Sequence, residues 1–130
     1  MPDTPRKLLV VDDEPVVAEF MARVLGMQGF TIDIATDGET ARSFISANGY
    51  EATIIDMRLP KLNGRQLYEY IKVACPRLAR HVVFTSGALL DGEMADFLAG
   101  EDLFFLNKPF GTEDLKAAVV KALRDPGSMV

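Results

Sequence analysis

Short apolar runs alternate with amphipathic stretches along the whole chain. The first run, Lys7-Leu-Leu-Val-Val11, has apolar residues at successive positions. That is the pattern of a strand covered on both faces, as in a parallel sheet. A helix is predicted from about Pro15, with Val16, Val17, Phe20, Met21, Val24 and Leu25 on its apolar stripe and Gly26 and Gly29 as stop signals. A second strand spans Thr31 to Ala35. Thr36 and Glu39 have capping-box spacing ahead of a helix that carries Ala41, Phe44 and Ile45 and stops at Asn48-Gly49. The third strand is Ala52 to Asp56, and a loop with Pro60 and Asn63-Gly64 leads to a helix bearing Leu67, Tyr70, Ile71 and Ala74. The fourth strand, Val82 to Thr85, runs into Ser86-Gly87. A shorter helix is expected from about Asp91 to Ala99 with a stop at Gly100. The fifth strand is Leu103 to Leu106, and the last helix runs from Thr112 to Arg124.

Five strands alternating with five helices imply an α/β fold, because parallel neighbours need crossover helices and right-handed crossovers cover both sheet faces. The 130 residues match one ordinary domain, with a core over about residues 6–124. The 14 basic and 19 acidic residues give a net charge of -5, which argues against a generally basic nucleic-acid surface or adhesion to anionic membrane. One cysteine, Cys75, and one histidine, His81, offer neither an internal disulfide nor a Cys/His metal pattern. With no signal-peptide pattern and no apolar run of membrane-spanning length, a cytoplasmic setting is expected.

Ligands of such sheets bind beyond the carboxyl ends of the strands. The first strand exits into Asp12-Asp13-Glu14, the third into Asp56, the fourth into Thr85-Ser86 and the fifth into Asn107-Lys108-Pro109. If the first, third, fourth and fifth strands are neighbours, one edge gathers several carboxylates, a hydroxyl and an ammonium. Crowded carboxylates need a cation or raised pKa values to coexist. Hard oxygen ligands favour magnesium, or manganese in its place. Asp56 then stands as a nucleophile, with Lys108 and Thr85 facing phosphoryl oxygens, since carboxylates form aspartyl-phosphate intermediates.

These residues resemble the receiver domain of two-component response regulators. The matching pieces are Leu-Val-Val-Asp12-Asp13-Glu-Pro, Ile-Ile-Asp56-Met-Arg-Leu-Pro60-Lys-Leu-Asn-Gly64, Phe-Thr85-Ser-Gly87 and Leu-Asn-Lys108-Pro109-Phe, in order and at strand ends. The resemblance implies a flavodoxin-like (βα)5 sheet with strand order 2-1-3-4-5. It implies that Asp56 accepts a phosphoryl group from a phosphohistidine of a sensor or hybrid histidine kinase or a histidine phosphotransfer protein. Asp12, Asp13, Asp56 and the main-chain carbonyl of Arg58 would hold magnesium. Thr85 and Lys108 would contact the phosphoryl group, and the peptide before Pro109 would be cis. Thr85 and Phe105 would form the switch, and the message would leave through the face over about residues 91–124, with Asp102 and Leu103-Phe104-Phe105 as candidates. Such a domain is a phosphoacceptor switch that assists its own phosphorylation and dephosphorylation, not an enzyme acting on a separate substrate. The short tail after the last helix is similar to receivers at the carboxyl end of hybrid kinases, so a stand-alone regulator and an excised receiver are both expected possibilities, neither carrying a nucleic-acid-binding output domain.

Two departures matter. Phe105 has no hydroxyl where a tyrosine is usual, and Arg58 puts a cation two residues after Asp56, where it would alter the rate of phosphoryl hydrolysis. Taken singly, each motif has a plainer reading: an acidic helix start for Asp12-Asp13-Glu14, turn chemistry for Asp56, Thr85-Ser86-Gly87 and Lys108-Pro109. Four coincidences at four strand ends are harder to accept than one site. Asp56-Met57-Arg58 lacks the second aspartate of an aspartate-based phosphatase, and the acidic turn after the first strand would repel a nucleotide or flavin phosphate. A receiver-like interaction module without phosphoryl chemistry is the remaining alternative.

Overall fold

A computed structural model describes residues 6–87, 92–101 and 103–124. Five strands are present: β1 (Arg6–Val11), β2 (Phe30–Ala35), β3 (Ala52–Asp56), β4 (Val82–Ser86) and β5 (Phe104–Asn107). The helices are α1 (Pro15–Gly26), α2 (Gly38–Ala47), α3 (Gly64–Ala74), α4 (Gly92–Glu101) and α5 (Thr112–Arg124), with a 3-10 turn at Leu78–His81. All strand pairs are parallel, and the sheet order is β2-β1-β3-β4-β5, as the resemblance implies.

Strand alternation sorts the core into two layers. Leu9, Val11, Ile55 and Phe84 face α2, α3 and α4, where Ala41, Ile45, Leu67, Tyr68, Ile71, Phe97 and Leu98 close over them. Leu8, Val10, Ile54 and Val83 face α1 and α5, against Ala18, Met21, Leu25, Leu115 and Val119. Burial on both faces explains why β1, β3 and β4 read as continuous apolar runs. Tyr68, Phe84 and Phe97 form an edge-to-face trio with centroid separations of 5.8, 5.8 and 6.0 Å. Such pairs add about 0.5–1.5 kcal/mol each beyond area burial. Among the described residues, no helix is long and apolar enough to cross a membrane.

The structure corrects several local expectations. The α2 N-cap is Asp37 and not Thr36; its carboxylate accepts a 2.7 Å bond from the Thr40 amide. An ionised acceptor one residue nearer the helix outcompetes the Thr36 hydroxyl for the open amides. Val16, placed on the apolar stripe of α1, is 81% exposed, and Phe20 is 36% exposed. The buried face is Ala18, Met21, Val24 and Leu25, so a helix with so many apolar residues cannot turn all of them inward. Ala74 is likewise exposed, while Tyr70 packs at the core margin. Gly100 does not end α4, which runs on to Glu101. α3 opens with a reciprocal capping box between Asn63 and Gln66, where the sequence pattern predicts only a loop. Asp91 and Asp102, named for the output face, lie outside the described residues.

The backbone amide of Thr40 holds the Asp37 carboxyl below the ordinary carboxylate range. A folded-state pKa below the unfolded one adds stability above the unfolded value, and that stability is lost as pH falls through the folded value. Asp37→Ala is therefore expected to lower Tm at neutral pH, with the gap to the parent chain closing progressively below about pH 4. Thermal unfolding by circular dichroism across pH 2.5–7 checks this; a constant gap would contradict it.

Candidate phosphoryl-transfer site

Backbone hydrogen bonds extend the sheet past the carboxyl ends of its strands and fix where each polar side chain starts. The amide of Asp12 donates to Ala35 O at 3.1 Å, that of Met57 to Thr85 O at 2.9 Å and that of Lys108 to Ser86 O at 2.8 Å. Register places Asp56 opposite Thr85 and Ser86 opposite Asn107. The exits of β1, β3, β4 and β5 thus meet at one edge.

Gly64 lets α3 begin against β3. A Cβ there would stand 2.6 Å from the Asp56 carbonyl oxygen and 2.9 Å from Met57 Cα, closer than real contacts allow. Gly38 plays the same part for α2, since a side chain there would collide with Leu62. Gly87 keeps the space beside the Lys108 stem open, with the lysine Cβ and Cδ each 3.8 Å from where a Cβ would be.

At the centre of the edge is the Lys108 ammonium. It lies 2.8 Å from Glu14 Oε1, 3.0 Å from Asp12 Oδ2 and 3.1 Å from Asp56 Oδ2. The contacts to Glu14 and Asp56 have hydrogen-bond geometry; the Asp12 contact is an ion pair without that alignment, leaving Asp12 Oδ2 with no hydrogen bond. Asp12 Oδ1 accepts from the Glu14 amide at 2.9 Å, and Asp56 Oδ1 accepts from the Arg58 amide at 3.2 Å. The Lys108–Pro109 peptide is cis.

Asp12 is wholly buried and Asp56 is 5% exposed, whereas Asp13 is exposed. Burial raises the Asp12 carboxyl above its ordinary range, against the bond from the Glu14 amide, and the charge of Asp56 pushes the same way as burial. Burial alone would lower the Lys108 ammonium, but the carboxylates of Glu14, Asp12 and Asp56 around it outweigh that and hold it well above its usual range.

One oxygen each from Asp12, Asp13 and Asp56 lies within 4.8 Å of the others. This donor set suits a small hard cation: all ligands are carboxylate oxygens, one of which is buried without a hydrogen-bond donor. Arg58 is exposed on the wall of the adjoining cleft. Thr85 is fully buried beside Asp56 and its hydroxyl has no partner among the described residues. Phe105 lies outside this group. It stands across from Phe84 and packs, half-buried, on the α2–α3–α4 layer. His81 is no part of the edge either; its Nδ1 lies 2.7 Å from the Ala122 carbonyl oxygen in α5. Cys75 caps the end of α3.

An open cleft of about 870 Å³ leads to the edge, bordered by Asp13, Glu14, Arg58 and Lys108 and, on one side, by Val16, Phe20 and Phe110. The sequence reading assigned no role to Glu14, nor to Val16 and Phe20 as a cleft wall. The Glu14–Lys108 contact spans 94 positions, a separation no local pattern reports.

A parallel sheet in this order, with an acid trio and one ammonium at its carboxyl edge, defines a receiver-type phosphoacceptor switch. Comparison with known proteins agrees. The family model of the response regulator receiver domain matches residues 8–120, and the chain belongs to that family. The transcriptional regulatory protein TcrA of Mycobacterium tuberculosis is 34% identical over 116 residues, covering 85% of this chain and 43% of TcrA. Response regulator MprA of a Mycobacterium species is 32% identical over 120 residues, covering 92% of this chain and 51% of MprA. The chain thus spans about half the length of the curated relatives it matches. The receiver domain of the Francisella response regulator 1452 superposes with a TM-score of 0.78 at 26% identity, covering 92% of this chain and 97% of that one. A CheY-like receiver domain protein of Methanospirillum hungatei shares the fold, with a TM-score of 0.84 at 20% identity over 92% of this chain and 94% of its own. Receiver domains of this family are phosphoacceptor switches of two-component signalling, bind magnesium in an acidic pocket, and work with histidine kinases.

The close seat of α3 on β3 generates a prediction. Gly64→Ala must push the β3 exit and Asp56 aside, so it is expected to destabilise the fold by about 1–3 kcal/mol, the usual range for overpacking. Denaturant unfolding measures this; a loss under about 0.5 kcal/mol, the ordinary surface value, would contradict the steric account.

Proposed function

We propose that the chain is a single receiver domain in which Asp56 accepts a phosphoryl group from a phosphohistidine of a histidine kinase or phosphotransfer protein. The observation that carries this is the convergence of Asp12, Asp13 and Asp56 beside the Lys108 ammonium. In the transfer, an Asp56 carboxylate oxygen forms the new O–P bond as the N–P bond breaks. The imidazole leaves with the electron pair. Charge builds on the phosphoryl oxygens, so alignment and neutralisation do most of the work.

Asp12, Asp13, Asp56 and the main-chain carbonyl of Arg58 would hold magnesium or manganese, which when bound supplies positive charge to the phosphoryl oxygens. Lys108 donates to one of those oxygens. Thr85 has an unpartnered hydroxyl beside Asp56 and donates to another. The same residues serve the domain's own dephosphorylation, which the Arg58 side chain at the cleft wall tunes.

The donor protein reaches Asp56 through the cleft, so the exposed apolar side chains of Val16 and Phe20 face it. Output follows from Thr85. Drawing its hydroxyl toward a new anion shifts β4, and Phe105, lacking a hydroxyl, responds by packing against its cross-strand partner Phe84. Phe84 in turn touches Phe97 of α4. The altered face is α4, β5 and α5, which presents Val120 at 48% exposure to a downstream protein. Partners of this kind place the domain in the cytoplasm.

Two measurements test the reading. Incubation with magnesium and acetyl phosphate is expected to give a base-labile phosphoryl adduct, detected by mass and absent in Asp56→Ala; persistence in the variant would overturn the assignment. Phe20→Ala is expected to slow transfer from a phosphohistidine protein about tenfold, the weight of one interface anchor, and to slow the acetyl phosphate reaction much less. Equal slowing with both donors would contradict the cleft as the docking route.

A further inference from the structure

The three carboxylates around Lys108 differ in how firmly they are held. Asp12 is buried with its other oxygen bonded to the Glu14 amide. Asp56 is nearly buried with its other oxygen bonded to the Arg58 amide. Glu14 is on the solvent side, its side chain 60% exposed, and makes the shortest of the three contacts at 2.8 Å. An ammonium has three N–H donors; here two are bonded to Glu14 and Asp56, and Asp12 Oδ2 closes the third side as an ion pair at 3.0 Å. A phosphoryl oxygen can gain a donor from Lys108 in place only if one carboxylate gives way.

Glu14 is the group that can leave. Water replaces its partner at little loss, whereas freeing Asp12 or Asp56 would strand a buried charge. Glu14 is the N-cap residue of α1; its side chain makes no capping bond there and reaches across the cleft to Lys108.

We propose that Glu14 is a displaceable latch that occupies Lys108 in the unphosphorylated domain and is exchanged for a phosphoryl oxygen of the incoming donor. This rests on the reading of Asp56 as phosphoacceptor and adds a positioning residue that limits access to the lysine. The latch lowers the rate of phosphorylation by keeping the ammonium engaged, and its release couples donor entry to the start of α1.

The test is a cycle of four 130-residue chains, the parent, Glu14→Gln, Lys108→Ala and the double variant, reacted with acetyl phosphate and magnesium and followed by mass. Glu14→Gln is expected to react about two- to fivefold faster than the parent, the range that corresponds to an exposed ion pair. In the Lys108→Ala background the same substitution is expected to change nothing. Equal acceleration in both backgrounds would mean that Glu14 merely repels the anionic donor, and no acceleration in the parent background would mean that it holds nothing back; either overturns the latch alone. No adduct on the parent chain would defeat the phosphoacceptor reading itself, and the latch with it. A second readout is independent of turnover and of metal. The Lys108 ammonium proton signal, observed by nitrogen-15 NMR in the metal-free protein, is expected to exchange with water faster in Glu14→Gln. Unchanged exchange there overturns the latch even if the Lys108 variants fold poorly.

Discussion

Three carboxylates converge on one ammonium at the carboxyl edge of the sheet, and the fold must hold them there against their mutual repulsion. Two unit charges about 4 Å apart interact by about 4 kcal/mol at an effective dielectric near 20. Repulsion of that size is a large fraction of the about 5–15 kcal/mol by which a whole domain is stable. Lys108 offsets it from the centre, and central strands buried on both faces keep the acids from drifting apart. The raised Asp12 carboxyl shows the remaining tension. A carboxyl whose folded pKa exceeds its unfolded one subtracts stability as pH rises through that interval, whereas the raised Lys108 ammonium adds stability at neutral pH.

The rest of the architecture works as positioning. Ladder bonds running beyond the strand ends tie Asp12, Met57 and Lys108 to the neighbouring strands. Side-chain-free seats at Gly38 and Gly64 bring two helix starts close to the same edge. The consequence is a site built from strand exits rather than from long loops, with its acceptor oxygens fixed by the sheet register. The components that remain adjustable are the exposed ones: Asp13, Glu14 and Arg58 at the cleft.

Aromatic packing ties the strands behind the edge to the helices above them. Phe105 shares a sheet face with Phe84, and Phe84 meets both Tyr68 and Phe97 edge to face. Arg65 adds a guanidinium 4.5 Å from the Phe97 ring centroid, joining α3 to α4. These contacts join β4 to α3 and α4 in one packed aromatic cluster, with Phe105 of β5 at its margin.

The sequence alone determined the element order, the parallel sheet and the residues at the strand exits, because period and strand-end chemistry are local properties written into consecutive positions. Asp12, Asp56, Thr85 and Lys108 were legible for that reason: the first three follow an apolar run directly, and Lys108 stands one residue beyond its run, after Asn107. Whatever depends on which residue wins a competition in three dimensions was not legible. Asp37 displaced Thr36 as the cap because its charge lay closer to the open amides, and Val16 was left in solvent because the buried face of α1 passes through Ala18 and Met21. Only the tertiary structure decided that Glu14 reaches Lys108 and that Gly64 must be bare, since both facts concern atoms brought together from distant parts of the chain or from separate backbone layers. Sequence patterns report which face a side chain tends to occupy; contact distances between such faces are set by packing.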